Sequence, residues 1–192
     1  MGKQELKIHQ LIEECVRGNR KYEELLYKSY YGYLAGVAFR YVSGRDEIRQ
    51  LVNASFLRIF KKLDRFRFDG QPAELEKAFK GWIGKITANI AIDHLRSQKK
   101  LYYVDDMSEE QLGDLTIEIS DRLAYQEVIA LLDTLPPLQR IIFNLYEIEG
   151  FNHEEIAQKL QFPASTSRVY LTRAKIRLMA NYQQMMKVSY EK

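Results

Sequence analysis

Between Ser165 and Leu178 the chain carries four cations, Arg168, Arg173, Lys175 and Arg177, and no acid. Over the same stretch Leu171, Ala174 and Leu178 recur at spacings of three and four, as the packed side of a helix would require. A helix that packs on one face and is positive on the other can lay its charges on phosphates and base edges. The bland counterpart is an amphipathic hairpin with a solvated basic face. A second group with the same chemistry is Arg65-Phe66-Arg67-Phe68, where stacking surfaces alternate with phosphate-seeking charges, as in single-strand binders. Either Phe alone serves equally well as an anchor for its loop. Asn89 interrupts the apolar zone Ile86 to Ile92, and its amide either bonds to backbone at a packing defect or reads a ligand.

Catalytic chemistry has no such footing. His9, His94 and His153 lie far apart with no second ligand one helical turn away, and Cys15 has no partner thiol for a disulfide. No glycine-rich phosphate loop, nucleophile elbow or paired acids are present, so no enzyme activity, cofactor or metal is expected. No apolar run reaches bilayer length, so membrane insertion is not expected. The opening MGKQELKIHQLIEEC lacks a signal-peptide core, and Leu6 stands where myristoylation wants Ser or Thr. A cytoplasmic protein is expected. With 46% apolar residues among 192, a folded core is within reach. Residues 1–100 hold 20 Lys+Arg against 12 Asp+Glu, whereas residues 101–192 hold 9 against 14. Eight of those acids fall within residues 101–127, beside a lone base, Arg122. The layout is a basic unit, an acidic connector and a unit ending in a basic helix.

These side chains must be held by helices, and the pattern predicts an all-α fold of two small helical domains. Asn152 and Glu155 form a capping pattern ahead of Ile156, Ala157 and Leu160. Gln161-Phe162-Pro163 breaks that helix, with Pro163 suited to the first turn of the next, from about Ala164. Phe151 to Leu178 is thus a helix-turn-helix. Upstream, helices are expected over residues 4–17 (ended by Gly18-Asn19), Arg20 to Val42, Asp46 to Asp64 and Leu75 to Lys100, with Arg65 to Glu74 a loop. In the second unit, helices are expected from Arg122 to Leu132 and from Pro137 to Ile148, the latter with Leu145 and Tyr146 inward. The expected domains are 1–100, an acidic linker 101–121, 122–186 and a frayed tail 187–192.

Two motifs in order resemble the extracytoplasmic-function group of bacterial sigma factors, the promoter-specificity subunits of RNA polymerase. Asp46 to Phe60 (DEIRQLVNASFLRIF) is similar to the family's polymerase-binding helix. Phe79 to Lys100 (FKGWIGKITANIAIDHLRSQKK) is similar to its promoter-melting helix, with Trp82, Ile86, Asn89, Asp93 and Arg96 in register. Leu135 to Leu178 resembles its −35-reading domain, with Arg173-Ala174 at the family's Arg-Ala position.

The resemblance implies roles. In the −35 set, Arg168, Tyr170 and Arg173 would lie nearest bases and Thr166, Lys175 and Arg177 nearest phosphates, with Thr172 beside them. Phe66, Lys85, Ile86 and Asn89, with Arg96, would capture a flipped base of the melted −10 strand. Asp46, Glu47, Gln50, Leu51 and Asn53 would bind the clamp coiled coil of polymerase's largest subunit, and the acidic linker would thread toward its active-site channel. The implied partners are core RNA polymerase, promoter DNA as −35 duplex and −10 single strand, and an anti-sigma factor that holds the two units until a signal releases them. The free chain would be a monomer, working at the nucleoid or held near the membrane by that factor. Departures from the family pattern are Arg49 and Ala54 where acids are common, Gln161 in place of the turn glycine, and Val169, which offers DNA only methyl contact. A helix-turn-helix regulator that binds duplex DNA without engaging polymerase is the competing reading; it has no use for the Phe66 and Asn89 constellation.

Overall fold

The computed structural model describes residues 8–98 and 125–190, and among them the regular structure is helical throughout. The acidic linker expected at 101–121, with Lys99, Lys100 and Arg122 at its borders, lies outside the described residues. The chain divides into two compact units, Met1–His94 and Leu95–Lys192.

In the first unit, helix α1 (Ile8–Val16) buries Leu11 and Cys15 and ends at Gly18. Gly18 has φ +76, a left-handed value that costs glycine little. Asn19, at φ −75, caps the next helix, its side chain accepting from the Lys21 amide. Helix α2 (Arg20–Phe39) turns Leu26, Tyr30, Leu34, Val37 and Ala38 inward. Helix α3 (Arg45–Lys62) packs on α2, with Phe56 against Tyr27, and buries Leu51, Val52, Phe56 and Ile59. Its first turn carries Asp46 and Glu47 and its last Lys61 and Lys62, the order the helix dipole favours. Single 3-10 turns at Leu63–Arg65 and Pro72–Glu74 bracket the expected loop, and α4 (Leu75–Ser97) follows. Its core face is Phe79, Ile83, Ala88, Ala91, Ile92 and Leu95; Trp82 and Ile90 are half-buried.

In the second unit, α5 (Tyr125–Asp133), α6 (Pro137–Phe143) and α7 (His153–Leu160) all pack against α8 (Ala164–Tyr190). The helix expected to run to Ile148 does not stay α-helical. After Phe143 it widens into one π-helical stretch, Asn144–Ile148, which buries Asn144 and Leu145 and turns Tyr146 outward at 36% exposure. The capping box at α7 forms as expected: Asn152 Oδ1 accepts from the Glu155 amide and Glu155 Oε2 from the Asn152 amide, both at 2.8 Å. Helix α8 begins at Ala164, as expected, with Pro163 just ahead of it, where its carbonyl accepts from the amides of Thr166 and Ser167. At its other end α8 stays helical through Tyr190, past the point where fraying was expected.

Gln161 closes α7 in the left-handed conformation, φ 60 and ψ 44. A side chain there costs about 1 kcal/mol that glycine would not. Gln161→Gly is therefore expected to stabilise the second unit by up to about 1 kcal/mol, less the extra freedom glycine gives the unfolded chain. Chemical denaturation measures this, and a loss of stability would place some other interaction of Gln161 above the backbone term.

Candidate nucleic-acid interface

Helix α8 presents its first three turns as the sequence pattern demands. Ser167, Tyr170, Leu171, Ala174 and Leu178 are buried, and Arg168 and Val169 are exposed. Tyr170 therefore belongs to the packed face, one turn from Ser167 and Ala174, and its 8% exposure corrects the expectation that it lies nearest bases. Its ring instead lies beneath the Arg173 guanidinium, 5.9 Å from the centroid, which gives that cation an aromatic seat. Thr172 is half-buried and donates its hydroxyl to the Arg168 carbonyl at 2.9 Å. Thr166, Arg173, Lys175 and Arg177 are half-buried.

Two of the cations are paired with acids that sequence reasoning missed. Arg168 meets Glu154 of α7 at 2.8 Å, and Lys175 meets Glu147 of the π-helical stretch at 2.7 Å. The register is set by how α7 packs on α8: Glu154 precedes Arg168 by 14 residues, the same separation that joins His153 to Ser167. The Arg168 pair is open to solvent, its side chains 55% and 64% exposed, so it contributes at most about 1 kcal/mol and mainly orients the guanidinium.

His153 ties the hairpin together. Its ring stacks on Tyr146 at 4.4 Å with planes 24° apart, and Nδ1 lies 2.9 Å from the hydroxyl of buried Ser167. Burial pushes the imidazole below its ordinary 6.5, and the Arg168 guanidinium acts in the same direction; Lys175 adds to this while Glu154 and Glu147 oppose it. The unfolded chain thus binds more protons than the folded one in this range. Stability from the neutral ring is complete above pH 6.5 and is lost as pH falls through the lowered value. Melting curves from about pH 8 to about pH 5 should show a steeper acid loss for the wild type than for His153→Gln; parallel slopes would unlink His153 from folding.

Helix α4 carries Trp82, Lys85, Asn89 and Arg96 along one face, all half-buried. Phe66 leaves the 3-10 turn in extended conformation, and its half-buried ring packs 5.3 Å from both Phe79 and Trp82. Phe79 is fully buried, so Phe66 is anchored through it while part of its ring remains open. Phe68 turns back over Gly70, where an added Cβ would come within 2.7 Å of its ring, and Arg67 bonds the carbonyls of Asp64 and Phe66. Asn89 makes no hydrogen bond among the described residues, so its amide edge is available to a ligand. Ile86 is not: at 8% exposure it faces the core, which corrects its place as a wall of the base site.

On α3, Asp46, Gln50, Asn53 and Ala54 are exposed. Leu51 is 3% exposed and Val52 fully buried, so neither offers a partner the apolar contact expected of Leu51. The apolar group on that side is Leu57, 75% exposed, which the periodicity had left unremarked. Glu47 leans across to His94 of α4 at 3.4 Å, and Arg49 pairs with Asp46 at 3.0 Å. No helix among the described residues is long and apolar enough to cross a membrane.

Known proteins bear on this arrangement. The family described as Sigma-70 region 2 matches residues 26–101, and Sigma-70, region 4 matches residues 125–178. The sigma-E factor of Salmonella typhimurium, an ECF RNA polymerase sigma factor, is 30% identical over 177 residues, covering 86% of this chain and 88% of that protein. The sigma-E factor of Haemophilus influenzae is 28% identical over 177 residues, covering 86% and 89%. A sigma factor of Bartonella quintana solved with an anti-sigma factor is 21% identical, covering 86% of this chain and 96% of that one, at a TM-score of 0.47, a likeness too loose to carry an argument.

Proposed function

This chain belongs to the extracytoplasmic-function group of sigma-70 factors, non-enzymatic subunits that direct RNA polymerase to promoters, and from that premise we propose a division of labour among its residues. The second unit, 122–186, anchors the −35 duplex. Arg168 and Arg173 reach base edges, Thr166, Lys175 and Arg177 hold phosphates, and Val169 offers methyl contact. The domain 1–100 captures an unpaired −10 base on the open part of the Phe66 ring, with Asn89 reading its edge and Lys85 and Arg96 along the strand.

The observation that carries this reading is the half-open Phe66 ring packed on Trp82 of α4, whose same face carries the unbonded Asn89 amide two turns on, a constellation that a duplex-only regulator does not need. The exposed side of α3, with Asp46, Gln50, Asn53 and Leu57, meets the polymerase clamp. Residues 101–121 thread toward the active-site channel. An anti-sigma factor holds the two units in the cytoplasm until release, and the freed chain is a monomer.

The test is a holoenzyme reconstituted with core polymerase. On templates whose −10 segment is already unpaired, the chain should bind more tightly than on full duplex. Equal affinity for the two templates would return the first unit to a structural role.

A further inference from the structure

Asn53 stands on the exposed side of α3, where a short polar side chain ordinarily samples several rotamers, yet here it is held. The Tyr27 hydroxyl of α2 donates to Asn53 Oδ1 at 3.0 Å, joining residues 26 apart in sequence. Tyr27 is itself fixed by its ring, which packs 4.5 Å from Phe56 and 5.5 Å from Tyr31. Phe56 is 2% exposed, so the hydroxyl's position is set from the core outward.

We propose that Tyr27 is a positioning residue for polymerase binding: it orients the Asn53 amide on the exposed side of α3. The inference rests on the reading that Asn53 contacts the clamp. With one lone pair of Oδ1 taken by the phenol proton, which fixes the amide plane, the wholly unpaired group it presents to a partner is the Nδ2 pair of N–H donors, which has no hydrogen-bond partner among the described residues. The surface it fits is therefore an acceptor, a carboxylate or a main-chain carbonyl. Holding the amide beforehand removes the ordering cost that a free side chain would meet on binding, worth roughly two- to tenfold in affinity. Leu57, one turn further along the helix and 75% exposed, supplies apolar contact beside this donor.

The experiment measures affinity of full-length variants for core polymerase in competition with the wild type. Tyr27→Phe keeps the ring and its packing and removes the hydroxyl alone. It should weaken association roughly two- to tenfold, while binding of single-stranded −10 DNA by the same variant is unchanged. Asn53→Ala should weaken association at least as much, and Asn53→Asp, which still accepts from Tyr27 but offers no N–H, should behave like Asn53→Ala. The double variant Tyr27→Phe, Asn53→Ala should be no weaker than Asn53→Ala alone, because the two residues act as one device.

If Asn53→Ala weakens association and Tyr27→Phe does not, the positioning role is overturned and the clamp contact stands. If their losses add, Tyr27 acts through a contact of its own and the proposal fails. If neither variant differs from the wild type, Asn53 is not at the clamp and the underlying reading falls with the proposal.

Discussion

Arg168→Ala should weaken binding of the −35 duplex by about 1–3 kcal/mol, and Arg173→Ala by a similar amount. The size follows from a competition within the structure. Arg168 is paired with Glu154, but that pair is largely exposed and is worth no more than about 1 kcal/mol. A bidentate contact to a base edge exceeds it, so the guanidinium transfers from Glu154 to DNA on binding. Because the contact is to a base, the loss should concentrate at one position of the promoter. Lys175→Ala, by contrast, should lower affinity for all sequences alike and reduce the salt slope by about 1. Tyr170→Phe serves as the control: its ring is buried beneath Arg173, so −35 affinity should hold. Titration of variant holoenzymes against a panel of −35 sequences at fixed salt reads all four, and unchanged affinity for Arg168→Ala would remove that residue from the interface.

Asn89→Ala should cut formation of the open complex by about 1–3 kcal/mol, the discrimination typical of a good amide-to-base pair, while leaving −35 duplex binding intact. The amide is half-buried and makes no hydrogen bond among the described residues, so its removal leaves no buried partner unsatisfied and should cost the fold little. Phe66→Ala makes an instructive contrast. Its ring packs on Phe79 and Trp82, so truncation should lower both stability and strand capture. Separating the two effects needs a melting curve beside the binding curve. Equal loss of duplex and single-strand binding in Asn89→Ala would mark Asn89 as a fold residue.

The helices were legible because their caps and apolar spacing are local. Asn152 and Glu155 announced a capping box, and Leu171, Ala174 and Leu178 announced the packed face of α8. The same face contains Tyr170, three residues from Ser167 and four from Ala174, and periodicity applied without regard to family expectation would have placed it inside. Leu51 and Ile86 behave alike: each was assigned to a surface by motif position, while its helical phase, with Ser55 and Ile59 for the one and Ile83 for the other, sends it to the core.

Other features depend on contacts between elements and left no local trace. The π-helical stretch at Asn144–Ile148 reverses the burial expected of Tyr146, and nothing in the apolar count of that segment signals the extra residue per turn. Glu154, Glu147 and His153 became partners of α8 only once α7 and the π-helical stretch were set against it. Tyr27 and Asn53 met in the same way, across the packing of α2 on α3.

The central claim is that one chain performs two separable acts on a promoter: anchoring the −35 duplex with α8 and holding the melted −10 strand with the first unit. Footprinting with a probe of unpaired thymines, on promoters selected by the reconstituted holoenzyme, tests it most directly. The wild type should make the −10 segment reactive and protect the −35 segment. Asn89→Ala should protect −35 with little −10 reactivity, and Arg168→Ala should lose −35 protection while still opening templates unpaired in advance. Loss of both signals together in each variant would contradict the division of labour.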